Sequence, residues 1–148
     1  MANDQIRLET RISAPPETVW SILTEPEHIQ TWWAFDGAEV DLRPGGAMLF
    51  RWTEHGEFRS VIKTVERDRR FVFQMSSNPG KAPEPGGQTL VEFTLISESG
   101  GTQLNFMESG FSGLEGTEEE VAQSAVISKQ GWTGGLAVLK ELAEKQNG

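Results

Sequence analysis

Between residues 38 and 109, apolar and polar residues alternate in short runs, and most runs end at a compact turn signal. The runs fall near 38–42, 46–53, 57–66, 70–76, 88–97 and 101–109. The punctuation between them reads "RPGG" at 43–46, "EHG" at 54–56, "RDR" at 67–69 and "ESGG" at 98–101. A period of two sends successive side chains to opposite faces of a strand. Connections this short favour an antiparallel meander, because parallel crossovers need about a dozen residues or more. One connection differs: "SSNPGKAPEPGG" at 76–87 is long and rich in Pro and Gly. It reads as a tolerated insertion or as a lid, the insertion being the plainer choice.

The flanks supply the remaining elements. Gln5 to Ser13 alternates through Ile6, Leu8 and Ile12 and predicts a first strand. In "APPETVWSIL", Pro15 and Pro16 suit a helix start, and Val19, Trp20 and Leu23 follow at helical spacing. Thr24 with Glu27 forms a capping-box pattern, which predicts a break and a second helix of about two turns ending near Trp33. After the meander, Thr117 and Glu120 form another capping box, and Glu118 and Glu119 complement the helix dipole. Val121, Ala125, Ser128, Trp132, Gly135, Leu139 and Leu142 then recur every three or four residues, the stripe of one amphipathic helix of about seven turns. Gly131, Gly134 and Gly135 each cost that helix about 1 kcal/mol against Ala. Close approach to a sheet, or a bend over it, is the expected compensation. The sum is an α+β fold in which a curved antiparallel sheet of about seven strands wraps a long C-terminal helix. Residues 1–148 are expected to form one domain.

Charge and composition narrow the function. Thirteen basic against twenty-two acidic residues give a net charge of −9, which disfavours nucleic acid and anionic membrane surfaces. Cysteine is absent, so thiol nucleophiles, disulfides and Cys-bound metals are excluded. The polar start "MANDQIRLET" does not read as a signal peptide, and no apolar run approaches the ~18 residues of a membrane span. A cytoplasmic protein is expected. No metal site and no cofactor are expected, because the chain lacks H-x-x-x-H, a P-loop and G-x-G-x-x-G. "GFSGL" at 110–114 does not keep the G-x-S-x-G spacing of a nucleophile elbow, and "SGFSGLEG" at 109–116 has the glycine frequency of a flexible loop. His55 falls in a hairpin turn and is most simply solvated, whereas His28 lies one helical turn before Trp32.

Several segments resemble the START/SRPBCC superfamily, and within it the family named for the activator of heat-shock protein 90 ATPase. They are "ISAPPETVWSIL", "PEHIQTWW", "DLRPGGAMLFRW", "GEFRSVIKTVERDRRFVFQM" and "GWTGGLAVLKELAE". The resemblance spans about residues 5 to 145 and is closest to small bacterial members. It implies a helix-grip (START-like, Bet v-like) fold, in which sheet and long helix typically enclose a cavity.

Pleat alternation then nominates a lining. Phe58, Ser60 and Ile62 share one strand face; so do Phe71, Phe73 and Met75, then Val91, Phe93 and Leu95, then Leu104, Phe106 and Glu108. Met48, Phe50 and Trp52 join them, and Trp132 and Leu136 come from the helix. Arg51, Arg59 and Glu92 have the opposite parity and belong outside. Glu108 shares the inward parity near a strand end, so it is either a buried carboxylate with a raised pKa or a solvated rim group. At about 100° per residue, Trp32 and Trp33 flank Ile29 on either side. One indole is expected to seal the helix onto the sheet, and Trp33 to border the cavity mouth. The resulting ligand-binding set is Trp33, Phe50, Trp52, Phe58, Ile62, Phe71, Phe73, Phe93, Phe106, Glu108, Trp132 and Leu136.

Such a concave aromatic lining suits binding of a small hydrophobic or aromatic molecule or lipid, without catalysis. Two other functions stay open. The resemblance implies a stress-related, co-chaperone-like domain with a chaperone partner. The other is a cyclase- or hydrolase-type enzyme using Glu108 as acid or base.

Overall fold

The computed structural model describes residues 4–147. Seven strands, β1 (Gln5–Ile12), β2 (Ala38–Val40), β3 (Ala47–Trp52), β4 (Gly56–Glu66), β5 (Arg70–Ser76), β6 (Gln88–Glu98) and β7 (Gly101–Ser109), form one antiparallel sheet. Their order is β1-β7-β6-β5-β4-β3-β2. The meander is therefore complete, and β1 closes it by pairing with the last strand. Helices α1 (Pro16–Thr24) and α2 (Pro26–Trp32) carry the chain from one sheet edge to the other. Helix α3 (Glu118–Asn147) packs against α1, α2 and β1.

The register aligns the large inward side chains in rows across the strands. Phe50 stands opposite Phe58, Ile62 opposite Phe73, Phe71 opposite Phe93, and Phe93 opposite Phe106. Cross-strand aromatic pairs of this kind stabilise a sheet by about 0.2–1 kcal/mol each beyond Ala pairs. A bulge between Ile62 and Thr64 shifts the parity of β4, so that Val65 rather than Thr64 meets Phe71. The tight β4–β5 turn places Asp68 at φ 64°, a left-handed conformation that Asp tolerates better than most side chains. On the convex face Arg51 pairs with Glu39 at 2.6 Å and Glu57 at 3.5 Å, and Arg70 with Glu92 at 2.6 Å. Arg59 is exposed on the same face.

The local reading of the helices needs one correction. Thr24 and Glu27 form no capping box. Thr24 ends α1 and donates its hydroxyl to the carbonyl of Trp20 at 2.8 Å, while Glu25 caps α2 without a side-chain bond. Pro26 at the first helical position supplies the restart instead, because its fixed φ suits N1 and its missing N–H is not needed there. The capping box at the start of α3 does form: Thr117 N–H donates to Glu120 Oε1 at 2.9 Å, and Glu120 N–H to Thr117 Oγ1 at 3.1 Å.

Candidate functional site

Trp132 occupies the middle of the grip. It is 2% exposed. Its indole meets Phe106 at 4.8 Å and Phe93 edge-on at 5.8 Å, centroid to centroid. Phe50, Ile62, Phe71, Phe73, Phe93, Phe106 and Leu136 are buried in the same packed core. These residues and Trp132 do not reach the large cavity, which corrects the expectation that they line it. A tryptophan packed against Phe93 and Phe106 fills the space between sheet and helix at that level.

The open space lies toward the N-terminal half of α3, where the stripe residues are small. There Ser124, Ser128, Gly131 and Gly134 face a cavity of about 1100 Å³. Its other walls come from α2 and the segment after it (Trp32, Trp33, Phe35, Asp36), from the β3–β4 hairpin (Trp52, Glu54, His55, Phe58) and from β5 (Met75, Ser76). Ser77, Thr89, Glu108, Phe111 and Leu114 complete it. Of the ligand-binding set read from the sequence, Trp33, Trp52, Phe58 and Glu108 stand on this wall. Phe35 and Ile127, 61% and 58% exposed, mark where the cavity opens to solvent.

The paired tryptophans divide their roles. Trp32 is buried, and its Nε1 donates to the carbonyl of Ile22 at 2.9 Å, pinning α2 to α1. Trp33 stacks on Trp132 at 3.7 Å with an 11° interplanar angle. Trp52 meets Trp33 edge-on at 5.3 Å and donates its Nε1 to the Trp33 carbonyl at 2.8 Å. Trp32 and Trp33 also explain one of the three helix glycines, Gly135. A Cβ on Gly135 would lie 3.0 Å from the Trp33 ring and 3.3 Å from the Trp32 carbonyl oxygen. The close approach is thus to Trp32 and Trp33 at the end of α2, not to the sheet as expected.

Glu108 is buried, 3% exposed, rather than solvated at a rim. Its β7 position puts it opposite Val91 and Ile6, on the concave face. Thr89 Oγ1 donates to Oε2 at 2.5 Å, and Trp132 Nε1 to Oε1 at 3.1 Å. The Ser128 side chain stands close enough to favour the charged form as well. Burial raises the carboxyl pKa above its ordinary value, and the three side chains oppose that rise by favouring the charged form. The carboxylate so ties β6, β7 and α3 together at the cavity wall.

Other lining residues escaped the sequence reading. Thr89 has the parity of Val91 and Phe93, so the alternation that nominated them reaches it too. Phe111 and Leu114 lie in the glycine-rich segment that reads as a flexible loop. Asp4 orders that segment: its carboxylate accepts from the Ser112 hydroxyl and, at 2.9 Å, from the Ser112 N–H, and its carbonyl accepts from Gly110 N–H at 3.1 Å. These bonds hold the Asp4 carboxyl below its ordinary pKa and bury Phe111 in a short 3₁₀ turn, Phe111–Gly113. The long 76–87 connection is also tied, by Ser77 N–H to Gly87 O at 2.9 Å, Gly80 N–H to Glu57 O at 2.8 Å and Glu115 N–H to Gly86 O at 2.9 Å. Away from the cavity, Glu25, Glu27 and half-buried His28 each bring one donor atom within 4.8 Å of the others at the surface.

Comparison with known proteins gives a consistent frame. A family model described as "Activator of Hsp90 ATPase homolog 1-like protein" matches residues 13–144. A crystal structure of a Mesorhizobium loti protein superposes with TM-score 0.79 at 22% identity, covering 95% of this chain and 97% of that one. The Aha1 dimer from Colwellia psychrerythraea gives 0.75 at 22%, covering 97% and 98%. CalU16 from Micromonospora echinospora gives 0.69 at 24%, covering 96% and 77%. None of the curated protein sequences compared with this chain matches it.

Proposed function

The chain belongs to the family of activator of Hsp90 ATPase homolog 1-like proteins, and from that premise we propose that it binds a small hydrophobic or aromatic molecule in the end cavity, without converting it. The observation that carries this reading is the cavity itself: about 1100 Å³, walled by Trp33, Trp52, Phe58 and Phe111, with Glu108 as a buried ionisable group. Concave, mostly apolar walls with a few placed polar groups are the usual makeup of small-molecule sites. Three tryptophans on the wall, Trp32, Trp33 and Trp52, make intrinsic fluorescence a direct reporter. Titration with 2-naphthol is expected to give a saturable change in tryptophan emission, together with a stoichiometric adduct in native mass spectrometry. No saturable signal up to the probe's solubility limit, and no adduct, would refute the reading.

Two further readings each rest on one observation. Glu108, buried with its pKa raised at the wall of the cavity, has the makeup of a general acid. That role requires Glu108→Gln to abolish turnover of a bound substrate while sparing its binding. Family membership favours a chaperone partner. A change in Hsp90 ATPase turnover on adding the purified protein supports that function, and an unchanged rate rejects it.

A further inference from the structure

The cavity has a sign as well as a shape. The ionisable side chains among the described residues that line it are Asp36, Glu54, Glu108 and His55, and neither lysine nor arginine is on the wall. The arginine nearest in sequence, Arg51 beside Trp52, is held on the convex face by Glu39 and Glu57. The net charge of the chain, −9, has the same sign as the wall. The innermost group, Glu108, is a carboxylate with about four acceptor positions. Thr89 and Trp132 use two of them, and Ser128 stands beside the carboxylate. Capacity for a further donor remains, in a site flanked by aromatic rings. Ring faces are negative, so rings and carboxylate together attract a cation and disfavour an anion, the more so where water is excluded.

We propose that the cavity selects an apolar, preferably aromatic, molecule carrying a positively charged amine, with the ammonium donating to Glu108 and lying among Trp33, Trp52 and Phe111. This rests on the binding function proposed above and names its ligand class. Anionic amphiphiles such as fatty acids are disfavoured, because the wall offers them no cation and Glu108 repels them. Glu108 is then more than a structural tie between α3 and the sheet: a purely structural carboxylate gives no preference among ligands of different charge.

The test uses three probes with one apolar body, naphthalen-2-ylmethylammonium, naphthalen-2-ylmethanol and naphthalene-2-carboxylate, titrated calorimetrically into the full chain at neutral pH. The ammonium is expected to bind about tenfold tighter than the alcohol, and the carboxylate about tenfold weaker than the alcohol or worse. Glu108→Gln, checked for folding by circular dichroism, is expected to remove the advantage of the ammonium over the alcohol. Equal affinities, or the carboxylate binding best, overturn the charge selection and leave the binding function standing. An ammonium preference that survives Glu108→Gln overturns the role of Glu108. Binding of none of the three overturns the binding function, and the selection with it. If the variant does not fold, the ranking on the unmodified chain still decides the selection.

Discussion

Three glycines in one helix give a prediction whose sign depends on position. Alanine in place of any of them gains about 1 kcal/mol of intrinsic helix preference. Their surroundings differ. A Cβ on Gly134 meets nothing within 4 Å, and one on Gly131 makes ordinary contact with the Trp33 ring at 3.7 Å. A Cβ on Gly135 would lie 3.0 Å from the Trp33 ring, 3.3 Å from the Trp32 carbonyl oxygen and 3.4 Å from the Trp32 ring. Relief requires Trp33 to move by a few tenths of an ångström. It is held on one side by its stack on Trp132 and on another by the Trp52 ring, whose Nε1 also anchors the Trp33 carbonyl. Overpacking against groups so constrained costs about 1–3 kcal/mol. Gly134→Ala is therefore expected to stabilise by up to about 1 kcal/mol, and Gly135→Ala to destabilise by up to about 2 kcal/mol after its propensity gain is subtracted. In a chain of this length 1 kcal/mol moves the midpoint by roughly 2–4 °C, so thermal and urea unfolding of the two variants resolve the difference. Equal stabilisation by both substitutions would refute the packing of Trp33 against the helix backbone.

Glu108 gives a pH-dependent prediction. Its folded pKa is raised above the ordinary value of 4.5, so the native state holds the proton longer than the unfolded chain does. The associated stability is present below the ordinary carboxylate range and is lost as pH rises from there through the raised folded value. Midpoints measured against pH should fall across that window in the unmodified chain and less steeply in Glu108→Gln; parallel curves would show no differential protonation. Trp132→Ala should cost about 3–5 kcal/mol in urea unfolding, since it empties the grip and removes a donor from a buried carboxyl; a loss below about 1 kcal/mol would mean that the indole does not fill the core. Thr117→Ala should remove about 1 kcal/mol of capping, seen as faster amide exchange in the first turn of α3, and unchanged exchange there would deny the cap a role.

The strand pattern was legible because each meander strand is solvent-facing on one side, so alternation survives in the sequence. β5 and β7 fall on the expected limits, and β2 stops at Val40 because Asp41 and Arg43 enter a turn. Sequence parity could not show the bulge that moves Val65 inward, which depends on pairing across β4 and β5. Nor could it separate a cavity wall from a filled core, because the same inward aromatic residues serve both. Pleat parity placed Phe73 and Phe58 alike on the concave face. Phe73 is buried among the rings of Phe50, Phe71 and Phe93, whereas Phe58, against Trp52, stands on the cavity wall. Phe111 was hidden for a different reason. The glycines around it suggest mobility, and the bonds that order it come from Asp4, 108 residues away from Ser112 in sequence.

The location of the cavity follows from a gradient of side-chain size along α3. Toward its N-terminus the inward stripe runs through Ala125, Ser128 and Gly131; beyond that it turns to Trp132, Leu136 and Leu139. The size of the helix side chains thus sets how much space is left beside α3. Large residues fill the space at Trp132, Leu136 and Leu139, and small ones leave it open along Ser124, Ser128, Gly131 and Gly134. Trp132 stands at the boundary with two faces in use. Its ring edge and plane engage Phe93, Phe106 and Trp33, while its N–H reaches Glu108 on the cavity wall. The residue that completes the core therefore also orients the cavity's buried carboxylate. A ligand pulling on Glu108 is thereby linked through one hydrogen bond to the packing of α3, so ligand binding should protect the amides around Trp132 from exchange more than those of the distant β6–β7 turn.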